Sequence, residues 1–381
     1  MLDRVLSRKD KLWAYTIGLG LALTPIHSRW LTELVTTDGT VGFFIPSFGI
    51  TIWLMASLFF LQDHWSEIDW GKGKILVPMF IIVAFMGVSG FLNGNTIGAK
   101  LAPLFMGLSL LSVYGAARYL GKEIFKALVP FVVITATAIV IMGLLNPGHT
   151  TGGIITNYCA AAGFLVFGGV VNQGKWQWLL VAVVLVGLFF TGAQEALFIV
   201  VVVGITVLVR KDVSRRLVLV AGSLVVLAGL WFLAGFLIPL YTGYNNFTAL
   251  FDLLLGRAVP DPATLAVLTT GRWEGYLKAY NNMSILGYGY SLSVVGGGII
   301  HNIPLIIAHQ IGPIAAIAWA FVTVYCLVRT KWKYAWIAVI AMCVFDHYLW
   351  TQFMPYWWCL VGVSTASEIK SDLIFRRNND E

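Results

Sequence analysis

The sequence predicts an all-α polytopic membrane protein with about twelve transmembrane helices and one large outer loop between the ninth and tenth spans. Three observations lead there. The chain is 59% hydrophobic and 11% charged, with a mean hydropathy of +0.83 over 381 residues, too apolar to build a water-soluble surface. Apolar runs long enough to cross a hydrocarbon core of about 30 Å recur along it. The basic residues, finally, gather in alternate gaps between those runs.

The runs fall at residues 12–27, 41–61, 75–92, 101–117, 127–145, 154–171, 176–191, 194–209, 216–238, 302–328, 334–349 and 352–367. The first follows Arg4, Arg8, Lys9 and Lys11, which gives it the look of a signal peptide. It lacks a clear small-residue cleavage site and is expected to stay as an uncleaved anchor. Between the seventh and eighth runs lies only Thr191-Gly192-Ala193-Gln194-Glu195, so these two helices should form a hairpin with its tip at the membrane surface.

Orientation follows from charge, because Lys and Arg are retained on the cytoplasmic side. With the N-terminus inside, all but five of the 25 basic residues fall on cytoplasmic segments. Arg29, Lys100, Arg257, Arg272 and Lys278 remain outside, three of them in the loop from 239 to 300. Both termini are then cytoplasmic and the number of spans is even. The net charge of +7 is a topology signal spread over short inside loops, where it can also meet anionic lipid head groups; it calls for no nucleic-acid partner.

The four cysteines, Cys159, Cys326, Cys343 and Cys359, each lie within a run, without the close spacing of a metal site or a disulfide framework. They read as small apolar packers. No repeat or linker divides the chain, so residues 1–381 form a single integral membrane domain with 239–300 as its one sizeable extramembrane part. In that loop a short helix is expected over Ala249 to Leu255, lying on the outer leaflet and ended by Pro260 and Pro262. A second should cover Arg272 to Asn282, and turns follow at Gly287, Gly289 and Gly296-Gly297-Gly298.

The middles of the spans are almost free of Asp, Glu, Lys and Arg, and only His309 with Gln310 lies clearly within one. A proton- or sodium-coupled transporter usually needs more intramembrane charge than this, whereas an enzyme working at the membrane surface does not. The chemistry-bearing residues gather instead between Thr270 and Ala315: Gly271-Arg272-Trp273, Gly287-Tyr288-Gly289-Tyr290 and His301-Asn302. A guanidinium can hold a phosphate through two parallel charge-assisted hydrogen bonds, and a neutral imidazole can take a proton from a hydroxyl.

Asn302 is placed to cap the tenth span, with Pro304 suited to its first turn. Gly312 lies three helical turns below His301 and should let a neighbouring helix approach closely. Each candidate also has a plainer reading. His301 also reads as an interfacial histidine satisfied by loop carbonyls, and Arg272 as a surface partner of Glu274 or Asp261. Tyr288, Tyr290, Trp273, Tyr276 and Tyr280 suit sugar stacking and membrane anchoring alike. His309 is expected to hydrogen-bond within the bundle, Asn157 to bridge helices, and the adjacent Asp346 and His347 to serve as structural polarity, since neighbours on a helix point about 100° apart.

Taken in order and sidedness, Gly271-Arg272, Gly287-Tyr288-Gly289 and His301-Asn302 followed by Gly312 resemble the O-antigen ligase and polymerase superfamily. It comprises bacterial lipopolysaccharide O-antigen ligases and Wzy-type polymerases of O-antigen and exopolysaccharide. The motifs cover roughly residues 150 to 330 and the hydropathy the whole chain. The resemblance implies a GT-C-like, metal-independent and cofactor-free inverting glycosyltransferase at the periplasmic face of the bacterial inner membrane. Its donor would be a glycan on undecaprenyl diphosphate. His301 would act as general base on the acceptor hydroxyl and Arg272 would hold the diphosphate.

Two positions depart from the family pattern. Members usually carry an arginine where this chain has Gln194, so a second diphosphate contact is missing or moved to Arg257, Lys278 or Lys100, and Glu195 beside it could imply different chemistry. Ala315 stands where glycine, threonine or tyrosine is common. Gln194, Glu195, Tyr288, Tyr290 and Asn302 are further candidate substrate contacts. The wording of Thr270-Gly271-Arg272 and Gly287 to Tyr290 looks like that of exopolysaccharide polymerases, so chain growth, with a chain-length co-polymerase as partner, is slightly favoured over ligation to lipid A-core. A lipid-linked oligosaccharide flippase or other transporter is the alternative from another class, and a membrane scaffold the third.

Overall fold

The structure, a computed structural model, describes residues 6–23, 48–71, 73–126, 279–289, 302–330 and 354–366, with short stretches at 128–130 and 335–337 and a few isolated positions besides. Among the described residues every regular element is helical. In chain order these are α1 (Arg8–Leu23), α2 (Phe48–His64) with a 3-10 turn at Trp65–Glu67, α3 (Gly73–Asn93), α4 (Ile97–Leu120), the single turn α5 (Glu123–Lys126), α6 (Ile303–Ile311), α7 (Pro313–Arg329) and α8 (Met354–Ala366). Two of them, α3 and α4, are long and apolar enough to cross a membrane, and α7 is a shorter apolar helix. These helices occupy parts of the first four, the tenth and the last of the expected runs; most of the others lie outside the described residues.

α3 and α4 form an antiparallel hairpin. Thr96 accepts the Ala99 N–H at 3.1 Å and so caps α4, satisfying one of the donors that a helix start leaves open. Small residues let the two backbones close: a Cβ on Gly90 would stand 2.7 Å from Pro103 Cγ, and one on Gly107 would stand 3.0 Å from Val83. The outward faces are apolar. Val77, Phe80, Phe91, Leu101 and Phe105 of the hairpin and Ile317, Phe321 and Val324 of α7 are exposed, as side chains meeting lipid would be.

α8 supplies the centre. All its residues from Met354 to Ala366 are buried, in keeping with a helix that is hydrophobic all round. It packs against α4 and α7. Its aromatic run is large, and its polar handles find partners across helices: Trp357 Nε1 donates to Thr323 Oγ1 at 3.0 Å and the Tyr356 hydroxyl to the Leu21 carbonyl at 2.5 Å. The Trp357 ring also stacks on Trp319 with centroids 5.7 Å apart. Cys326, Cys343 and Cys359 are buried, as apolar packers would be.

One end of the bundle collects the charge pairs. Lys9 meets Asp63 at 2.7 Å, His64 meets Asp10 at 3.1 Å, and the buried Arg118 donates to the Asp69 carbonyl at 2.5 Å. Ser7 and Asp10 close a reciprocal cap on α1, each side chain accepting the other's N–H. The start of α1 and the ends of α2 and α4 therefore share one end.

The tenth run does not form one helix. Residues 303–329 divide at Gly312 into α6 and α7. Hydropathy continues unbroken across Gly312-Pro313, but proline has no N–H to carry the ladder and glycine admits a backbone turn that other residues resist.

Candidate functional site

The division at Gly312 is where the described polar groups converge. α6 begins as expected: the Asn302 side chain accepts the Leu305 N–H at 3.1 Å, and Pro304 sits in the first turn, where a missing donor costs nothing. Asn302→Ala should cost about 1 kcal/mol of stability, and Asn302→Asp should keep most of it, as read from thermal melting.

The C-terminal end of α6 is bare without help. Pro313 cannot donate, so the His309 carbonyl four residues before it lacks its intrahelical partner, and the break strips the Gln310 carbonyl as well. Residues 284–289 fill both vacancies as a strap. Tyr288 N–H donates to the His309 carbonyl at 2.9 Å, and Gly289 N–H to that of Gln310 at 3.0 Å. From α3, Ser89 donates its hydroxyl to the same Gln310 carbonyl at 2.6 Å and accepts from Gly289 N–H at 3.0 Å. Asn93 lies beside the strap, donating to the Ser89 carbonyl at 2.9 Å and, more weakly, towards Gly287 at 3.5 Å.

Backbone shape makes this closeness possible. Gly287 and Gly289 have φ of +72° and +87°, which favour glycine, and Gly287 closes the expected turn by donating its N–H to the Ser284 carbonyl at 3.1 Å. A Cβ on Gly287 would overlap the Gln310 carbonyl, and one on Gly312, at φ +98°, would overlap that of Ile285. Gly312 thus receives the strap, not a neighbouring helix as its spacing from His301 suggests. Ser89→Ala would remove the hydroxyl that both groups share and leave the Gly289 N–H and the Gln310 carbonyl only each other, at a cost of about 0.5–1.5 kcal/mol. Faster hydrogen exchange at the Gly289 amide should report it.

His309 differs from expectation. It is 6% exposed, and neither ring nitrogen has a hydrogen-bond partner among the described residues. The side-chain oxygen of the adjacent Gln310 is engaged elsewhere, accepting from Trp350 Nε1 at 2.8 Å. Leaving a buried donor or acceptor unpaired costs about 1–3 kcal/mol, so this imidazole is held at a cost. Its ring lies beside Tyr288, centroids 5.0 Å apart and planes inclined at 36°.

Of the residues singled out from the sequence, Tyr288 and Asn302 belong to this assembly. His301, Arg272, Arg257, Lys278, Gln194, Glu195 and Tyr290 lie outside the described residues, as do Asn157, Asp346 and His347. Residues 279–281 are helical, within the segment where a helix over 272–282 is expected. Ser89, Asn93 and Trp350 went unrecognised in the sequence. A serine and an asparagine one helical turn apart near the end of an apolar run were the available signal for the first two. Among the described residues no three His, Cys, Asp or Glu side chains come together to hold a metal ion.

Fold and site together define an all-helical protein, in its described residues, with two helices able to cross a bilayer and a glycine-rich strap locked onto a broken helix. No family model matches the chain, and no curated protein or solved structure does either.

Proposed function

We propose that the chain is a multi-pass glycosyltransferase of the bacterial inner membrane, similar to O-antigen polymerases and ligases. It would move a glycan from undecaprenyl diphosphate to a sugar hydroxyl at the periplasmic face, with inversion and without a metal ion. In this reading there are about twelve spans, both termini are cytoplasmic, and residues 239–300 form the periplasmic loop. One observation carries the proposal. The Gly287-Tyr288-Gly289 motif is hydrogen-bonded to the last turn of the helix that Asn302 opens, so two motifs that the sequence keeps apart belong to one structural unit. His301 directly precedes that cap.

The chemistry divides between two side chains. A sugar hydroxyl is a weak nucleophile at neutral pH, and His301 would take its proton as it attacks the anomeric carbon. The bond from that carbon to the diphosphate breaks, and Arg272 would receive the charge that develops on the leaving oxygens, with Arg257 and Lys278 as further cations. Chain growth on a lipid-linked acceptor glycan is favoured; lipid A-core is the alternative acceptor.

The test is transfer by the purified protein in proteoliposomes supplied with undecaprenyl-diphosphate repeat units, with the product lengths read by mass spectrometry. Wild type should lengthen the glycan, and Arg272→Lys should transfer about ten- to a hundredfold more slowly, because an ammonium cannot reproduce the two parallel hydrogen bonds of the guanidinium. A second reading has one observation in its favour. Helices broken inside an apolar segment are where transporters hold their cargo, and α6 and α7 are such a pair. Movement of the lipid-linked glycan across the bilayer without any new glycosidic bond would decide for a flippase.

A further inference from the structure

We infer that Tyr288 and His309 form a carbohydrate subsite, in which a sugar ring stacks on the tyrosine and one of its hydroxyls is held by the imidazole. Neutral imidazole carries one donor and one acceptor, and both ring nitrogens of His309 lack a partner among the described residues although the ring is 6% exposed. A sugar hydroxyl can either give or accept a hydrogen bond, so it can complete whichever ring nitrogen it reaches. That is the complement the ring is missing.

Tyr288 makes the site reachable. Its side chain is 47% exposed, and its ring lies against the imidazole at 5.0 Å. Its backbone is tied down by the N–H donated to the carbonyl of His309 itself, at 2.9 Å. The phenol ring can therefore turn about its own side-chain bonds and uncover the imidazole while the strap stays closed. Gly287 and Gly289 flank it with no side chains to obstruct that movement.

The charge of the seat selects the ligand. Every ion pair among the described residues lies elsewhere in the molecule, and none reaches His309 or Tyr288. A diphosphate would seek cations. An uncharged polyhydroxylated ring needs an aromatic face for its C–H groups and a neutral hydrogen-bonding group for its hydroxyls, and these two residues offer both. The subsite deepens the transferase reading, on which the identity of the glycan rests.

The experiment measures binding to full-length protein in nanodiscs by native mass spectrometry, using three kinds of probe. These are undecaprenyl diphosphate bearing one of four sugars (glucose, galactose, mannose or N-acetylglucosamine), bare undecaprenyl diphosphate, and the same sugars as free methyl glycosides. Wild type should bind at least one sugar-bearing lipid about tenfold more tightly than the bare lipid. His309→Phe should erase that preference without changing the affinity for bare lipid, and His309→Gln should retain most of it. Tyr288→Leu should also erase it, and Tyr288→Phe should not; as Tyr288 is exposed, this pair answers the question even if His309→Phe fails to fold. A preference that survives both His309→Phe and Tyr288→Leu, or the absence of any sugar preference in wild type, overturns the subsite while leaving the donor lipid intact. Failure of every lipid to bind, with free glycosides still retained in a His309-dependent way, overturns the transferase reading and leaves the subsite standing.

Discussion

Gly312→Ala is expected to remove the folded protein, at a cost above about 3 kcal/mol. Gly312 has φ +98° and ψ 155°, a region that side-chain-bearing residues scarcely enter. Its added methyl would also overlap the Ile285 carbonyl, and backbone on both sides leaves nothing flexible to give way. Three supports go together if the strap lifts: the bonds to the His309 and Gln310 carbonyls and the Ser89 bridge. Gly121→Ala is the control, since it too has a positive φ, +61°, but open space around it. It should lose only the backbone contribution. Thermal unfolding in detergent, followed by tryptophan fluorescence, checks the pair; a Gly312→Ala protein that melts with the wild type would show that the strap does not close on the break.

The largest effect on activity is expected at His301. Removing a general base costs about 10²- to 10⁴-fold in rate, and His301→Ala should slow glycan transfer by that much while donor binding stays near wild type. A merely structural histidine would behave differently: its loss would lower melting and donor affinity along with rate. The direction of the pH response follows. A protonated imidazole cannot accept the acceptor's proton, so wild-type transfer should fall as the solution is acidified, and the residual rate of His301→Ala should lose that dependence. Transfer by His301→Ala at the wild-type rate would remove the proposed base.

How much of this the sequence shows depends on the range of the interaction. The cap at Asn302 and the turn that Gly287 closes are local, set within a few residues, and the sequence announces them. The break at Gly312 is local too, yet it is hidden, because the apolar pattern of 302–328 continues through one glycine and one proline. The solitude of His309 is hidden for another reason. Whether a buried imidazole finds a partner depends on which side chains the tertiary fold brings near it, and periodicity carries no trace of that. The same holds for Ser89, whose role emerges only once a loop 200 residues later lies against it.

That separation has a consequence for how the molecule is made. At about 5–20 residues per second, ribosomes synthesise Gly289 some 10–40 s after Ser89, so the hairpin of α3 and α4 is made long before its strap exists. During that interval the serine hydroxyl must find a temporary acceptor, and its own helix offers one in the carbonyls of the preceding turn. Maturation then amounts to a handover: the later chain recruits a hydroxyl already in place on the earlier hairpin, and the strap closes over the break at Gly312 only once both have been made.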